Sequence, residues 1–316
     1  MLKDNSSPQS VIDPSVVFSE INLIDLFKTM FKFKLLVASF TSVFSIIAIL
    51  YALQLPDIYR SDAILSLSEK FESQNSGAMS AMGNIANMAG IDIGNPESTK
   101  ADEGVAIMKS LNFFEALLEK QDMYIPLLAA KDWDKEVNKL IIDESKYDQK
   151  SQKWLDFLIA GDEYPSSQKA FSVFKKGFTV SKDKSTGFIL VSIEHYSPFI
   201  AQQWVEALVN EINIQTRDSD VAVAERSIIF LNEQLSKTNI AEIKYVLSSL
   251  IQKQTQTIML AKSSPEYLFK TLDPPIASEL KIKPARTIIC VFGLFIGLIF
   301  GFIAALLKQS FLTRST

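Results

Sequence analysis

Apolar residues follow three different rhythms along this chain. Residues 35–53, LLVASFTSVFSIIAILYAL, and 287–307, TIICVFGLFIGLIFGFIAALL, are apolar on every side and carry no charge. At about 1.5 Å rise per residue they extend roughly 28 and 31 Å, close to the thickness of a bilayer's hydrocarbon core. Both runs predict membrane-spanning helices. The first lacks a small-residue cleavage site and starts too far from Met1 for a signal peptide, so it is read as a retained anchor.

Between the runs the period changes. Tyr59, Ser61, Ala63, Leu65 and Leu67 alternate with Arg60, Asp62 and Ser66, which predicts a strand directly after the first span. KGFTVSKD and TGFILVSIEHY predict a hairpin turning through Lys184–Gly187, and EYLFKTLDPP predicts a further strand before the second span. Helical spacing governs two other stretches. Residues 103–120 place Ile107, Leu111, Phe114, Leu117 and Leu118 on one face, and Ser197 with Pro198 opens a stretch, 199–264, that holds neither glycine nor proline. As one rod that stretch would extend about 100 Å and leave too little chain to return, so a turn is expected near Lys237–Asn239, with Asn239 and Glu242 restarting the helix. Residues 19–33 predict an amphipathic helix with Ser19 as its cap, lying at the membrane surface. Residues 73–98, rich in Gly, Ala, Met, Asn and Ser, show no period and are read as a loop, with a methionine-based contact surface as the sharper alternative.

Together these elements predict an α+β membrane protein in which two transmembrane helices flank an α/β base, and an extended helical hairpin projects from that base. The boundaries are a cytoplasmic segment 1–34, a first span 35–53, an outer domain 54–286, a second span 287–307 and a cytoplasmic tail 308–316. Lys28, Lys32 and Lys34 before the first span, and Lys308 and Arg314 after the second, place both termini in the cytoplasm. Lys281, Lys283 and Arg286 sit on the opposite side and conflict with this, but long translocated domains largely ignore the charge rule.

Composition excludes more than it assigns. The chain's net charge is −4; residues 1–34 balance and the tail is +2, so the central domain carries −6, which argues against a nucleic-acid partner. Cys290, the only cysteine, lies in the second span, so no intrachain disulfide is expected. No phosphate-binding loop, nucleophile elbow, HExxH or CxxC occurs, and no catalytic residue, cofactor or metal is expected. The single histidine, His195, is read as a structural hydrogen-bonding residue rather than a proton carrier, because strand alternation sends Glu194 to the other face. Asp218 and Asp220 are read as a charged turn of the long helix rather than a metal pair. In the second span Gly293, Gly297 and Gly301 recur every four residues; each drifts only about 40° around an ideal helix from the one before, giving one stripe where another helix can approach.

The order of elements, with LPDIYRSDAIL after the first span, the passage through Ser197-Pro198, PEYLFKTLDPPIASELKIKPAR and a glycine-striped second span, resembles the Wzz-type polysaccharide chain-length determinants, the polysaccharide co-polymerase family. The likeness covers roughly residues 20–307, and its proline-bearing entry to the second span contains Pro274, Pro275 and Pro284. Family members usually carry more prolines there; Ile276–Lys281 has none, so a rigid proline rod is not expected over the whole stretch. The resemblance implies a non-catalytic regulator of lipopolysaccharide O-antigen length in the Gram-negative inner membrane, with its central domain periplasmic. It implies a homo-oligomer working with a membrane polysaccharide polymerase, and the growing lipid-linked polysaccharide as a further partner. The alternatives are an exopolysaccharide or capsule regulator working with a separate kinase, and, in another class, a two-span ligand-binding sensor. The short flanks, 1–34 and 308–316, are expected to hold neither a kinase module nor an output domain.

Overall fold

The computed structural model describes residues 32–68, 96–156 and 164–314, arranged as two compact units. The expected amphipathic helix before the first span and nearly all of the methionine-bearing stretch lie outside the described residues.

One unit is a pair of antiparallel helices, α1 (Lys34–Gln54) and α8 (Arg286–Arg314). Both are long and apolar enough to cross a membrane. Apolar side chains such as Ile46, Tyr51, Phe292 and Phe295 stay exposed on their outer faces, as expected of helices whose solvent is lipid. Where they touch, Phe44 stacks on Phe300 with ring centres 5.3 Å apart.

The second unit runs from Pro56 to Pro284. Its frame is an antiparallel sheet of β1 (Ile58–Leu67), β6 (Phe178–Lys182), β7 (Ile189–His195), β8 (Phe269–Asp273) and β9 (Lys281–Lys283). The order is β6-β7-β1-β8, with β9 also on β1. Tyr59 faces His195 and Leu65 faces Ile189 across the β1–β7 ladder. Alternation buries Tyr59, Ser61, Ala63 and Leu65 while Arg60 points outward, so one sheet face carries the core and the other is open. The β6–β7 turn needs a left-handed residue, and Gly187 supplies it at φ 75°.

Helices cover the core face. The expected helix over 103–120 is two helices, α2 (Pro96–Met108) and α3 (Leu111–Lys120). The break falls at Ser110, whose hydroxyl accepts from Phe113 N–H and starts a new helix that the apolar spacing alone does not reveal. Gly104 on α2 lies where a Cβ would come within 2.8 Å of Leu268 and 2.7 Å of the Phe269 ring. Residues 124–156 and 164–177 contain α4 (Tyr124–Leu128), the hairpins β2 (Ala130–Asp134) with β3 (Lys139–Ile142) and β4 (Tyr147–Asp148) with β5 (Lys153–Trp154), and then α5 (Ser167–Gly177). Of these the sequence reading anticipated none.

The long helical stretch is α6 (Pro198–Lys237) followed by α7 (Ala241–Ser263), which pack on each other. The break follows Lys237 as expected, but Asn239 is not the cap. Ile240 occupies that position without a side-chain hydrogen bond, and its own N–H leans on Thr238 Oγ1 at 3.4 Å. At about 1.5 Å per residue α6 extends roughly 60 Å, and only its first half touches the sheet.

Candidate functional site

The passage from β7 into α6 joins the sheet to the helical pair. Ser197 sits at the cap position and Pro198 in the first turn, both buried. The Ser197 hydroxyl does not cap the helix. Instead Ser197 N–H donates to His195 Nδ1 at 3.0 Å, and His195 Nε2 lies 3.0 Å from the Pro126 carbonyl, so the ring is neutral with its proton on Nε2. Burial pushes the His195 pKa down to about 4. Glu194, on the opposite strand face, pairs with Lys283 at 2.6 Å. The histidine therefore clamps α4 to the strand-helix corner, and its two ring nitrogens have no proton-transfer partner in Glu194.

Further along α6, Asn213 makes the contact that fastens the return strand. Its Oδ1 accepts from Leu268 and Phe269 N–H, both at 2.8 Å, and its Nδ2 donates to Phe269 O at 3.0 Å. The amide thus completes the ladder at the start of β8, where the backbone would otherwise be buried without partners. Two residues earlier, buried Glu211 receives both of its oxygens' contacts from Lys120 at 2.7 and 2.8 Å and a further bond from Gln215. The sequence held a signal for Asn213: it follows Val205 and Val209 at four-residue spacing, a polar side chain interrupting an apolar stripe.

Asp218 and Asp220 take separate partners. Asp218 pairs with Arg217, and Asp220 accepts from the Tyr267 hydroxyl at 2.8 Å. Burial, then the Asp220 carboxylate, pushes the Tyr267 pKa up. Among the described residues no three His, Cys, Asp or Glu side chains converge as a metal site would require.

The prolines before α8 are spread over a tethered segment. Pro274 is exposed just beyond β8, Pro275 is buried, and Pro284 follows β9 through a cis peptide bond. Between them Ser61 Oγ donates to the Ile276 carbonyl at 2.8 Å. Lys281 reaches Asp57 at 3.1 Å, and the Lys283 contact to Glu194 adds a second ion pair.

In the helix pair, Gly293, Gly297 and Gly301 share the face of α8 that meets α1. A Cβ on Gly293 would overlap Ala48 Cβ, one on Gly297 would lie 2.8 Å from Thr41 Cα, and one on Gly301 would lie 3.0 Å from Val37 Cα. Arg286, which the sequence offers only as a flanking charge, donates from Nε to the Ala52 carbonyl at 3.1 Å and from its terminal nitrogen to the Leu55 carbonyl at 3.4 Å. It caps the carbonyl end of α1, as cations near helix C-termini do.

Among the described residues this arrangement offers scaffolding and apolar surface rather than a convergent acid-base pair. Beyond Thr216, α6 buries only Ala224, and with α7 it leaves Ile229, Phe230, Tyr245 and Val246 exposed. Comparison with solved structures gives two matches at low identity. A full-length bacterial polysaccharide co-polymerase shares 13% identity, with 92% of this chain and 99% of that chain covered and a TM-score of 0.41. A fragment of WzzB, a polysaccharide co-polymerase from Salmonella Typhimurium, shares 12% identity, with 72% and 100% covered and a TM-score of 0.28. No curated protein matches. From the segment before α1 through the end of α3, over residues 19–120, the chain matches the Wzz family of chain length determinant proteins, the family that its sequence resembles.

Proposed function

We propose that this chain is a non-catalytic regulator of polysaccharide chain length, acting on lipopolysaccharide O-antigen together with a membrane polymerase. The observation that carries the reading is the family match over residues 19–120, which takes in the first span, β1 and α3. Two further features support it. The apolar outer half of the α6–α7 pair is suited to self-association, and α1 and α8 are suited to an inner-membrane anchor with both termini in the cytoplasm and the Pro56–Pro284 unit in the periplasm.

Deletion of the gene, followed by electrophoretic profiling of the surface polysaccharide, tests this. A regulator leaves polymer made but disperses its length distribution. Loss of all polymer with polymerase abundance unchanged, or an unaltered length profile, overturns the reading. Chemical crosslinking of the full-length protein in native-like bilayer gives a ladder above the dimer, whereas a strict monomer removes the oligomeric part.

A further inference from the structure

A cavity of about 530 Å³ opens beside the strand-helix corner, within the size range of small-molecule sites. Leu127 and Leu128 of α4, Val173 and Lys176 of α5, and Ile193 and Trp204 contribute to its wall. Much of its wall is apolar, and among the described residues its lining also holds three lysines, 146, 176 and 283, against one carboxylate, Glu194. Two of these cations are already matched, Lys283 by Glu194 at 2.6 Å and Lys146 by Asp143 at 3.7 Å. Lys176 is exposed and has no ion-pair or hydrogen-bond partner among the described residues. A second donor stands unused in the same wall. Trp204 is 3% exposed, its ring packs on His195 at 4.9 Å, and its indole N–H makes no hydrogen bond among the described residues. The indole nitrogen itself is not sealed from solvent, so its N–H is open to an acceptor that a ligand brings.

We infer that this cavity binds a single sugar ring carrying one anionic group, a carboxylate or a phosphate, with Lys176 opposite the anion and the Trp204 N–H donating to a ring substituent. The chemistry follows from what the walls lack. Among the described residues they present donors and an unmatched positive charge, while the carboxylate of Glu194 is held by Lys283, so a ligand that brings acceptors and negative charge fits them. Apolar side chains such as Leu127, Val173 and Ile193 suit the C–H face of a pyranose. A metal ion finds too few oxygen ligands here, and a nucleotide finds no phosphate-cradling loop. The inference rests on the polysaccharide reading given above and specifies which sugars the protein recognises.

Isothermal titration of the full-length protein in detergent micelles tests it, with glucuronic acid, glucose 1-phosphate, glucose and inorganic phosphate as separate titrants. Saturable binding of glucuronic acid, glucose 1-phosphate or both is expected, and which of the two binds identifies the anion. Glucose and phosphate alone are expected to bind at least about tenfold more weakly, since each lacks one half of the recognised group. Lys176→Met and Trp204→Phe are each expected to weaken binding by about tenfold or more, with the circular dichroism spectrum and unfolding midpoint of Lys176→Met unchanged. Absence of saturable binding by both acidic sugars, glucose or phosphate binding as tightly as the acidic sugars, or Lys176→Met binding like wild type overturns the inference. These outcomes are independent of the deletion phenotype: an unaltered polymer profile removes the proposed function without touching the isotherms, and failed isotherms remove the site without touching the profile.

Discussion

Helix α6 changes from core to surface along its own length with no break in its backbone. From Pro198 to Thr216 it buries Trp204, Val205, Leu208 and Ile212 against the sheet and seats Asn213 on β8. Just beyond that point Asp220 still holds the Tyr267 hydroxyl, and farther out α7 lies beside it, with Ile229 70% exposed and Phe230 58%. Both halves are helical and both carry apolar residues, so periodicity does not separate them; the difference lies in whether this chain supplies a partner. The inner half is a component of the fold, while the outer half is surface whose apolar content contributes little to the isolated chain. Apolar residues on such a surface stabilise an assembly through what covers them.

The largest effect that sharpens this contrast is expected at Asn213. Asn213→Leu leaves two N–H groups and a carbonyl at the start of β8 without partners, costing roughly 3–6 kcal/mol of unfolding free energy. Denaturant unfolding followed by tryptophan fluorescence reads this cleanly, because Trp133, Trp154 and Trp204 all lie in the Pro56–Pro284 unit. An unchanged midpoint would show that the inner half is as loosely held as the outer.

Next comes His195. Its pKa is about 4 folded against 6.5 unfolded, so between those values the unfolded state binds the extra proton and stability falls as pH falls. The loss begins near pH 6.5, is complete below about pH 4, and totals on the order of 3 kcal/mol. His195→Gln should flatten that part of the stability profile; if the wild-type and variant profiles run parallel from pH 7 to 4, the clamp does not titrate as described.

The same contrast recurs between two faces of α8. Gly297 meets Thr41, whereas Phe295 points away from α1 and is 58% exposed. Gly297→Leu is expected to cost about 1–3 kcal/mol of helix pairing and to shift the polymer length distribution, with insertion and abundance normal. Phe295→Leu should be milder. Full tolerance of leucine at Gly293, Gly297 and Gly301 together would reduce the stripe to membrane composition.

The smallest effect on folding is expected in the outer half. Ile229→Ser should move the unfolding free energy by less than about 0.5 kcal/mol. Its consequence should show instead in a shortened crosslinking ladder. A large loss of fold stability with the ladder intact would erase the distinction between the halves.

Legibility from sequence tracked how local each cause was. The β1 alternation, the Gly187 turn and the break after Lys237 all have their causes within a few residues, and each was readable. The two-residue strands β4 and β5, and the three residues of β9, are too short to show a period. Ser110 was hidden because apolar spacing continues across it. Asn213, Glu211 and Arg286 could be seen as polar residues but not assigned, since their partners are Phe269, Lys120 and the α1 carbonyls, far away in sequence. Lys281, Lys283 and Arg286 had looked only like charges on the wrong flank, and each holds a specific contact. The cavity was invisible for the same reason: Lys176, Trp204 and Leu127 come from three separate elements.

The position of β1 in the sheet sets an order in time. Made at residues 58–67, it pairs with 189–195, 269–273 and 281–283, all of them later in the chain. At about 5–20 residues per second, a ribosome takes roughly 10–45 s to go from the start of β1 to its last partner. For that interval β1 keeps at least one open edge, the kind of edge that recruits other strands. Both long helices of the α6–α7 pair are complete before β8 and β9 exist, so the pair is synthesised ahead of the sheet that anchors it. A nascent chain interrupted after Ser263 would therefore carry a finished pair of helices and an unfinished base, while one that reaches Lys283 holds every partner that β1 has among the described residues, with α8 still to come.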